Sequence, residues 1–202
     1  MVTSYERRGR VAPGPRPVIV AFNGGPGASS SPLHLSALGP RRYQIDADGE
    51  RVMTDNPFSP LDAADLVFVD PLGTGFSRPD DPAEGRAFWS VTADAASVVS
   101  AIRQWRQVRG RERDPLFLCG ESYGTSRAAA ILDAHPDLVF DGVLLLSVTG
   151  GPDDADDALA RLVPTYAVTA AFHGLTSPKD VAPQAIFDEA LAWALRDYLP
   201  AL

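Results

Sequence analysis

The chain has 202 residues, of which 45% are hydrophobic and 22% are charged, and its formal net charge is −8. This length and composition are typical of a globular protein with a sizeable core. The negative charge disfavours binding to nucleic acid or to an anionic membrane surface. Cys119 is the only cysteine, so no disulfide can form within the chain and nothing indicates an oxidising compartment.

Membrane, export and metal signals are absent from the sequence. The amino-terminal basic residues precede no apolar segment, which argues against a signal peptide, and no apolar run is long enough to span a bilayer. We therefore expect a cytoplasmic protein. The acidic turn at 46–50 lacks the ligand spacing of a calcium loop, so neither a metal nor a cofactor is predicted.

Apolar runs alternate with helical segments, which predicts a mostly parallel α/β sheet with flanking helices. Segments 43–45 and 51–53 flank a polar turn, as in a hairpin, and a weaker strand pattern covers 2–5. Continuous apolar runs are typical of strands buried on both faces, and they occur at 18–22, 66–70, 116–119 and 142–147.

Helical periodicity appears in the middle of the chain and again towards its end. Thr92 or Asp94 is expected to cap a helix whose apolar positions repeat at helical spacing: Ala95, Val98, Ile102 and Trp105. From Leu159 onward the pattern is again helical.

The strongest chemical signal lies at residues 116–132. The apolar run at 116–119 enters Gly120-Glu121-Ser122-Tyr123-Gly124, and a helical pattern follows at once. A strand, a Gly-x-Ser-x-Gly turn and a helix compose a nucleophile elbow, in which the serine stands at the carboxyl edge of a parallel sheet. Ser122 is therefore the candidate nucleophile, and the backbone N–H of Tyr123 would face a developing oxyanion. An ordinary structural turn is the alternative.

A second glycine-rich turn, Asn23-Gly24-Gly25-Pro26-Gly27, follows the apolar run at 18–22. A glycine loop at a strand end can direct backbone N–H groups towards an anion. Such a loop is equally compatible with a tight turn, and the elbow is what favours the functional interpretation.

Taken together, these motifs resemble the serine carboxypeptidase family of the α/β-hydrolase fold. The residues at 37–40, 65–71 and 164–167 are most similar to bacterial members. Four blocks occur in the family's order: the glycine loop at 23–27, with Leu38-Gly39-Pro40 at the family's spacing; Asn56-Pro57-Phe58-Ser59; the strand and turn at 66–77; and the nucleophile signature at 120–125.

The resemblance implies a serine-type carboxypeptidase that releases C-terminal residues from peptides through an acyl-enzyme at Ser122. Its oxyanion hole would use the backbone N–H groups of Gly25 and Tyr123. The terminal carboxylate of the peptide would be held by Asn23, Gly24 and Glu121. The implied fold is a partial α/β-hydrolase core at 1–152, followed by the start of a helical lid insertion at 153–202.

Two positions depart from the family pattern. Ala37 stands where many members carry a second substrate-binding glutamate, and Ala21 stands at a tryptophan position. The glutamate pair is therefore incomplete, which weakens the implied preference for a free C-terminus. A serine esterase or acyltransferase is a further alternative.

The general base is missing from its expected place. In α/β-hydrolases the acid and the histidine of the triad follow the serine in the chain. His34 precedes the elbow, His135 lies at the far end of its helix, and His173 falls in the expected lid. We therefore expect a truncated member that lacks the triad Asp and His. A catalytically inactive fragment or partner-binding half is the main alternative.

Without later strands, the strand at 142–147 would lie at the edge of the sheet. Unpaired backbone groups beside an apolar run mark an interface or an aggregation hazard. The predicted partners are therefore a peptide substrate and, at 142–147, another protein or a second copy of the chain.

Overall fold

The structure, a computed structural model, describes residues 1–7, 15–149, 155–175 and 181–201. The chain divides into two compact units, Met1–Thr149 and Gly150–Leu202. The predicted boundary between residues 152 and 153 lies outside the described residues.

The described part of the first unit contains a five-stranded sheet and a separate hairpin. The sheet order is β1-β5-β2-β6-β7, with β5, β2, β6 and β7 parallel and β1 antiparallel to β5. The hairpin pairs β3 with β4. These strands confirm the predicted mostly parallel sheet, and their bounds are β1 (Val2–Tyr5), β2 (Val18–Phe22), β3 (Arg41–Ile45), β4 (Arg51–Asp55), β5 (Asp65–Val69), β6 (Leu116–Glu121) and β7 (Gly142–Leu146).

Strand register decides which loops meet. β2 and β6 are parallel neighbours, and Phe22 lies opposite Gly120 at their carboxyl ends. Glu121 in turn lies opposite Leu146 of β7. The glycine loop after Phe22 therefore emerges beside the turn after β6, at the same edge of the sheet.

The two faces of the sheet bury alternate residues of each strand. On one face, Val20, Phe22 and Leu118 pack with two helices of the first unit. On the other face, Ala21, Phe68 and Cys119 form a second cluster. Burial raises the pKa of the Cys119 thiol to about 11, so it remains a thiol at neutral pH.

Four α-helices of the described chain follow the predicted helical segments: α1 (Val91–Arg109), α2 (Tyr123–Ala134), α3 (Ala155–Phe172) and α4 (Pro183–Trp193). The last two lie in the second unit. Within the described residues, no helix combines the length and apolar character that a membrane span requires.

The predicted cap of α1 is wrong. The helix begins after Ser90, whose side-chain oxygen accepts a hydrogen bond from the backbone N–H of Ala93 at 3.2 Å. Asp94 lies in the first turn, where its carboxylate accepts a hydrogen bond from the buried Arg127 of α2. Serine is as good a cap as threonine or aspartate, so local preference did not identify the helix start.

At β7 the prediction of a strand buried on both faces fails, whereas its expected position at the edge of the sheet agrees with the described residues. This strand lies at the end of the sheet order, and Val143, Leu144 and Leu145 are 38%, 42% and 47% exposed. A continuous apolar run normally indicates cover on both faces. Within the described residues this run is left open to solvent.

Candidate active site

The turn between β6 and α2 holds Ser122 in a rare backbone conformation. Its φ is 55° and its ψ is −127°, a positive-φ state that few non-glycine residues adopt. Its N–H donates to the Leu146 carbonyl at 2.9 Å. Its carbonyl accepts from both the N–H and the hydroxyl of Thr125, each at 2.8 Å. This strand–turn–helix geometry is that of a nucleophile elbow.

The glycine loop lies directly against this elbow. A Cβ built on Gly24 would stand 2.4 Å from the backbone nitrogen of Tyr123 and 2.7 Å from the Glu121 carbonyl oxygen. The next residue, Gly25, has φ +104°, a region that favours glycine. The chain segments that carry the two predicted oxyanion donors, Gly25 and Tyr123, are therefore in backbone contact.

Two of the predicted carboxylate-binding residues are hydrogen-bonded to each other. The side-chain amide of Asn23 donates to Glu121 Oε2 at 2.7 Å, and its Oδ1 accepts from the N–H of Leu33 at 3.0 Å. Asn23 is only 5% exposed, so both ends of its amide are fixed. The third residue, Gly24, is the one in contact with the elbow. The structure thus brings all six predicted site residues to one edge of the sheet.

A cavity of about 470 Å³ opens beside the elbow, within the first unit. Its lining combines apolar and aromatic groups with the buried pair Asp94 and Arg127. Burial raises the pKa of the Tyr123 hydroxyl, and the nearby Asp94 carboxylate adds to the shift. This cavity is the candidate substrate pocket, and its lining includes Pro26, Leu72, Phe88, Trp89 and Tyr123.

Comparison with known proteins decides the family. The sequence profile of the serine carboxypeptidases matches residues 5–134, more than half of the chain. The chain belongs to the serine carboxypeptidase family. The matched residues include the glycine loop and the elbow, so the family match and the site geometry coincide.

Two curated relatives of the chain come from a plant and from a fungus. Serine carboxypeptidase-like 36 of Arabidopsis thaliana is 32% identical over 110 residues, which cover 53% of this chain and 22% of the relative. The pheromone-processing carboxypeptidase Kex1 of Neurospora crassa is 33% identical over 118 residues, which cover 57% of this chain and 17% of the relative. The chain therefore spans well under half the length of these relatives.

A solved structure supports the fold of this family. Kex1Δp, a prohormone-processing carboxypeptidase from Saccharomyces cerevisiae, superimposes with a TM-score of 0.56 at 21% identity. The match covers 89% of this chain and 45% of that structure. The prediction of an α/β-hydrolase fold is confirmed.

None of the three histidines of this serine carboxypeptidase family chain hydrogen-bonds to Ser122 within the described residues. His34 Nε2 lies 2.6 Å from the Tyr5 hydroxyl, its ring stacks on Phe68, and burial lowers its pKa against the opposing effect of Asp70. His135 follows the last residue of α2. In the second unit, the His173 ring packs edge-on against Phe172.

Arg127 is a site residue that sequence reasoning missed. It is 1% exposed, and it donates to Asp94 Oδ2 from Nε and to the Asn23 carbonyl from a terminal nitrogen, each at 2.7 Å. In the sequence, Arg127 lies between Gly124 and Ile131 at helical spacing, on the face that α2 buries. A charged residue on an apolar helix face was the available signal.

Proposed function

We propose that the chain carries the nucleophile of a serine-type carboxypeptidase that releases C-terminal residues from peptides. The observation that supports it most directly is the contact between Gly24 and the Tyr123 nitrogen. This contact joins the glycine loop to a serine elbow with the required backbone geometry. Relatives that are named carboxypeptidases support a peptide as the substrate.

In the proposed reaction, Ser122 Oγ attacks the carbonyl carbon of the last peptide bond while a general base takes its proton. The backbone N–H groups of Gly25 and Tyr123 stabilise the oxyanion of the tetrahedral intermediate. The peptide bond then breaks, the leaving amine is protonated, and the terminal residue departs from an acyl-enzyme ester. Water hydrolyses this ester and regenerates the serine.

Substrate orientation is proposed to depend on Asn23, Gly24 and Glu121. The Asn23 amide is fixed with its NH₂ group towards Glu121, and a substrate carboxylate beside this pair would accept from the second N–H of that amide. The backbone of Gly24 lies alongside. A peptide held there by its C-terminus presents its last peptide bond to the neighbouring serine.

The general base is proposed to come from outside this sequence. A serine nucleophile needs a histidine that is in turn oriented by a carboxylate. Within the described residues, each histidine occupies another environment: His34 contacts Tyr5, His135 follows α2, and His173 packs on Phe172. We therefore expect this chain on its own to hydrolyse peptides slowly.

A fluorophosphonate probe followed by mass spectrometry tests the nucleophile. Because the general base is proposed to come from outside this sequence, we expect the adduct on Ser122 to form slowly in the wild type, and we expect no adduct at this position in Ser122→Ala. Ser126→Ala is the matched control, because Ser126 lies one turn along the same helix and its hydroxyl donates to the Thr149 carbonyl. Folded wild type that remains unlabelled, or equal labelling in Ser122→Ala, would contradict the proposal.

A non-catalytic, partner-binding role is the second candidate, and the histidine positions favour it. Without the general base, the oxyanion hole and substrate binding alone would accelerate hydrolysis by about 10³–10⁴ over the reaction in water. Hydrolysis of a blocked dipeptide by the pure chain at ordinary enzymatic rates would exclude this role.

Ala37 in place of a second glutamate favours a third candidate, an esterase or acyltransferase. This third function requires that the chain turns over ester substrates and does not turn over peptide substrates.

A further inference from the structure

The buried guanidinium of Arg127 lies between the glycine loop and the elbow of the candidate active site. Arg127 is among the largest fully buried side chains of the described residues, and its partner Asp94 is also buried. The pair links α2 to the first turn of α1, with Nε 2.7 Å from Asp94 Oδ2. A buried ion pair of this kind is costly to break, because the remaining charge is left without compensation.

The same guanidinium reaches both sides of the site. A terminal nitrogen donates to the Asn23 carbonyl at 2.7 Å, immediately before Gly24 and Gly25. The guanidinium carbon lies 5.1 Å from the centre of the Tyr123 ring and 5.2 Å from that of Phe22, distances typical of cation–π contacts. One side chain thus contacts the residue that opens the glycine loop and the residue that follows the nucleophile.

We propose that Arg127, anchored by Asp94, is a positioning residue that fixes the glycine loop against the elbow and so sets the mutual orientation of the Gly25 and Tyr123 N–H groups. The inference rests on the proposed function for the role of those two donors. Arginine suits this task because its planar fork makes two hydrogen bonds in fixed directions, whereas lysine offers a point charge. Oxyanion stabilisation requires donors that are oriented before the reaction begins.

The chain provides a matched control for loss of a buried arginine. Arg111 is 9% exposed and donates to Asp65 at 2.9 Å and to the Arg16 carbonyl at 3.1 Å. It precedes β6, so it lies at the opposite end of that strand from Ser122. Arg111→Lys therefore removes a comparable fork from the same unit without touching the site.

The experiment compares Arg127→Lys with Arg111→Lys at a temperature where circular dichroism shows both variants folded. The first readout is the rate of Ser122 labelling by a fluorophosphonate. We expect Arg127→Lys to slow labelling by about 10- to 100-fold, as small displacements of catalytic groups do, and Arg111→Lys to leave the rate unchanged. Equal slowing in both variants would indicate a purely structural role and overturn the inference.

The second readout does not depend on reactivity. In ¹H–¹⁵N spectra of the full chain, the amide resonance of Gly25 is expected to shift in Arg127→Lys and to stay in place in Arg111→Lys. If the wild type is not labelled, the proposed function fails, and this resonance alone decides the positioning role. An unshifted Gly25 amide in folded Arg127→Lys would overturn it.

A second variant covers the case in which Arg127→Lys does not fold. Asp94→Asn keeps the shape of the anchor and removes its charge, so Arg127 loses its charged partner but can still occupy its place. The same Gly25 shift and the same direction of rate change are expected, with smaller size. A Gly25 amide and a labelling rate identical to those of the wild type would count against the role of the anchor.

Discussion

Three hydrogen bonds hold Ser122 in its strained conformation: one from its N–H to Leu146 and two to its carbonyl from Thr125. A backbone state of this kind costs on the order of 1–3 kcal/mol and persists only where its surroundings enforce it. The position of the glycine loop also depends on a single residue, Gly24, which has no side chain. Gly24 allows the Tyr123 nitrogen to approach to a distance that any Cβ would prevent.

Gly24→Ala tests this close contact. Its Cβ would stand 2.4 Å from the Tyr123 nitrogen, so the loop must move away from the elbow. We expect fluorophosphonate labelling of Ser122 to slow by at least about tenfold, since a displacement near 1 Å can cost 100-fold. The labelling rate is to be measured on folded protein.

Gly49→Ala serves as the control for that substitution. Gly49 differs from Gly24 in having a positive φ, +83°, but a Cβ there meets nothing within 4 Å, and the residue lies in the turn between β3 and β4. Gly49→Ala therefore introduces an alanine, and backbone strain that Gly24→Ala does not have, without introducing the clash. Labelling that is equally fast in Gly24→Ala and in the wild type would show that the loop contact does not matter for reactivity.

At the scale of elements, the parallel register of β2 and β6 places two distant turns side by side. The strands were predictable because a continuous apolar run is a local signal, and the elbow because its glycine spacing is local too. The pairing of Asp94 with Arg127 was not predictable, since it joins residues of two helices that no periodicity connects. The apolar run of β7 by itself predicted cover on both faces, because such a run does not reveal whether neighbouring elements cover it. Its edge position was expected only because the sequence shows no later strand.

The open edge of β7 predicts self-association. Within the described residues β7 pairs only with β6, and its exposed Val143 and Leu145 lie beside unpaired backbone groups. Such an edge can pair with a second copy of the chain or with another protein. We expect the mass measured by light scattering after size-exclusion chromatography to rise with concentration, and Val143→Lys to suppress that rise.

Val108→Lys is the control for the edge prediction. Val108 is 75% exposed but belongs to α1, so it does not border an open strand edge. The same loss of apolar surface there is expected to leave the oligomeric state unchanged. A wild type that stays monomeric at every concentration would refute the prediction.

At the scale of the whole molecule, the carboxyl ends and the amino ends of the strands in the sheet carry different groups. The carboxyl ends of the strands carry the candidate active site, whereas the amino ends carry a buried charge cluster around Asp65. Asp65 is 2% exposed and accepts hydrogen bonds from Arg16 at 2.8 Å and Arg111 at 2.9 Å. The cluster thereby links β5 to the segments that precede β2 and β6.

Asp65→Asn is expected to destabilise the protein without altering the candidate active site. Removing one partner of a buried ion pair costs about 3–5 kcal/mol where the remaining charge is left uncompensated. Arg111 keeps its ion pair with Asp114, so we expect a loss at the lower end of that range. Asp137→Asn is the control, because its carboxylate pairs with Arg103 at an exposed position and such pairs contribute about 0–1 kcal/mol. The free energy of unfolding is to be measured by urea denaturation at pH 7.

The pH dependence of stability should change in the same variant. Burial acts to raise the pKa of Asp65, but the hydrogen bonds from Arg16 and Arg111 outweigh it, so the pKa of Asp65 lies below its ordinary value. A carboxyl whose pKa is lower in the folded state contributes stability above its unfolded pKa of about 3.9. That contribution is lost as the pH falls through the folded pKa, where the folded protein also takes up the proton.

Wild-type stability should therefore decline below about pH 4, and the decline should be shallower in Asp65→Asn. Parallel declines in urea titrations at pH 7, 4 and 3 would show that the cluster does not govern acid stability.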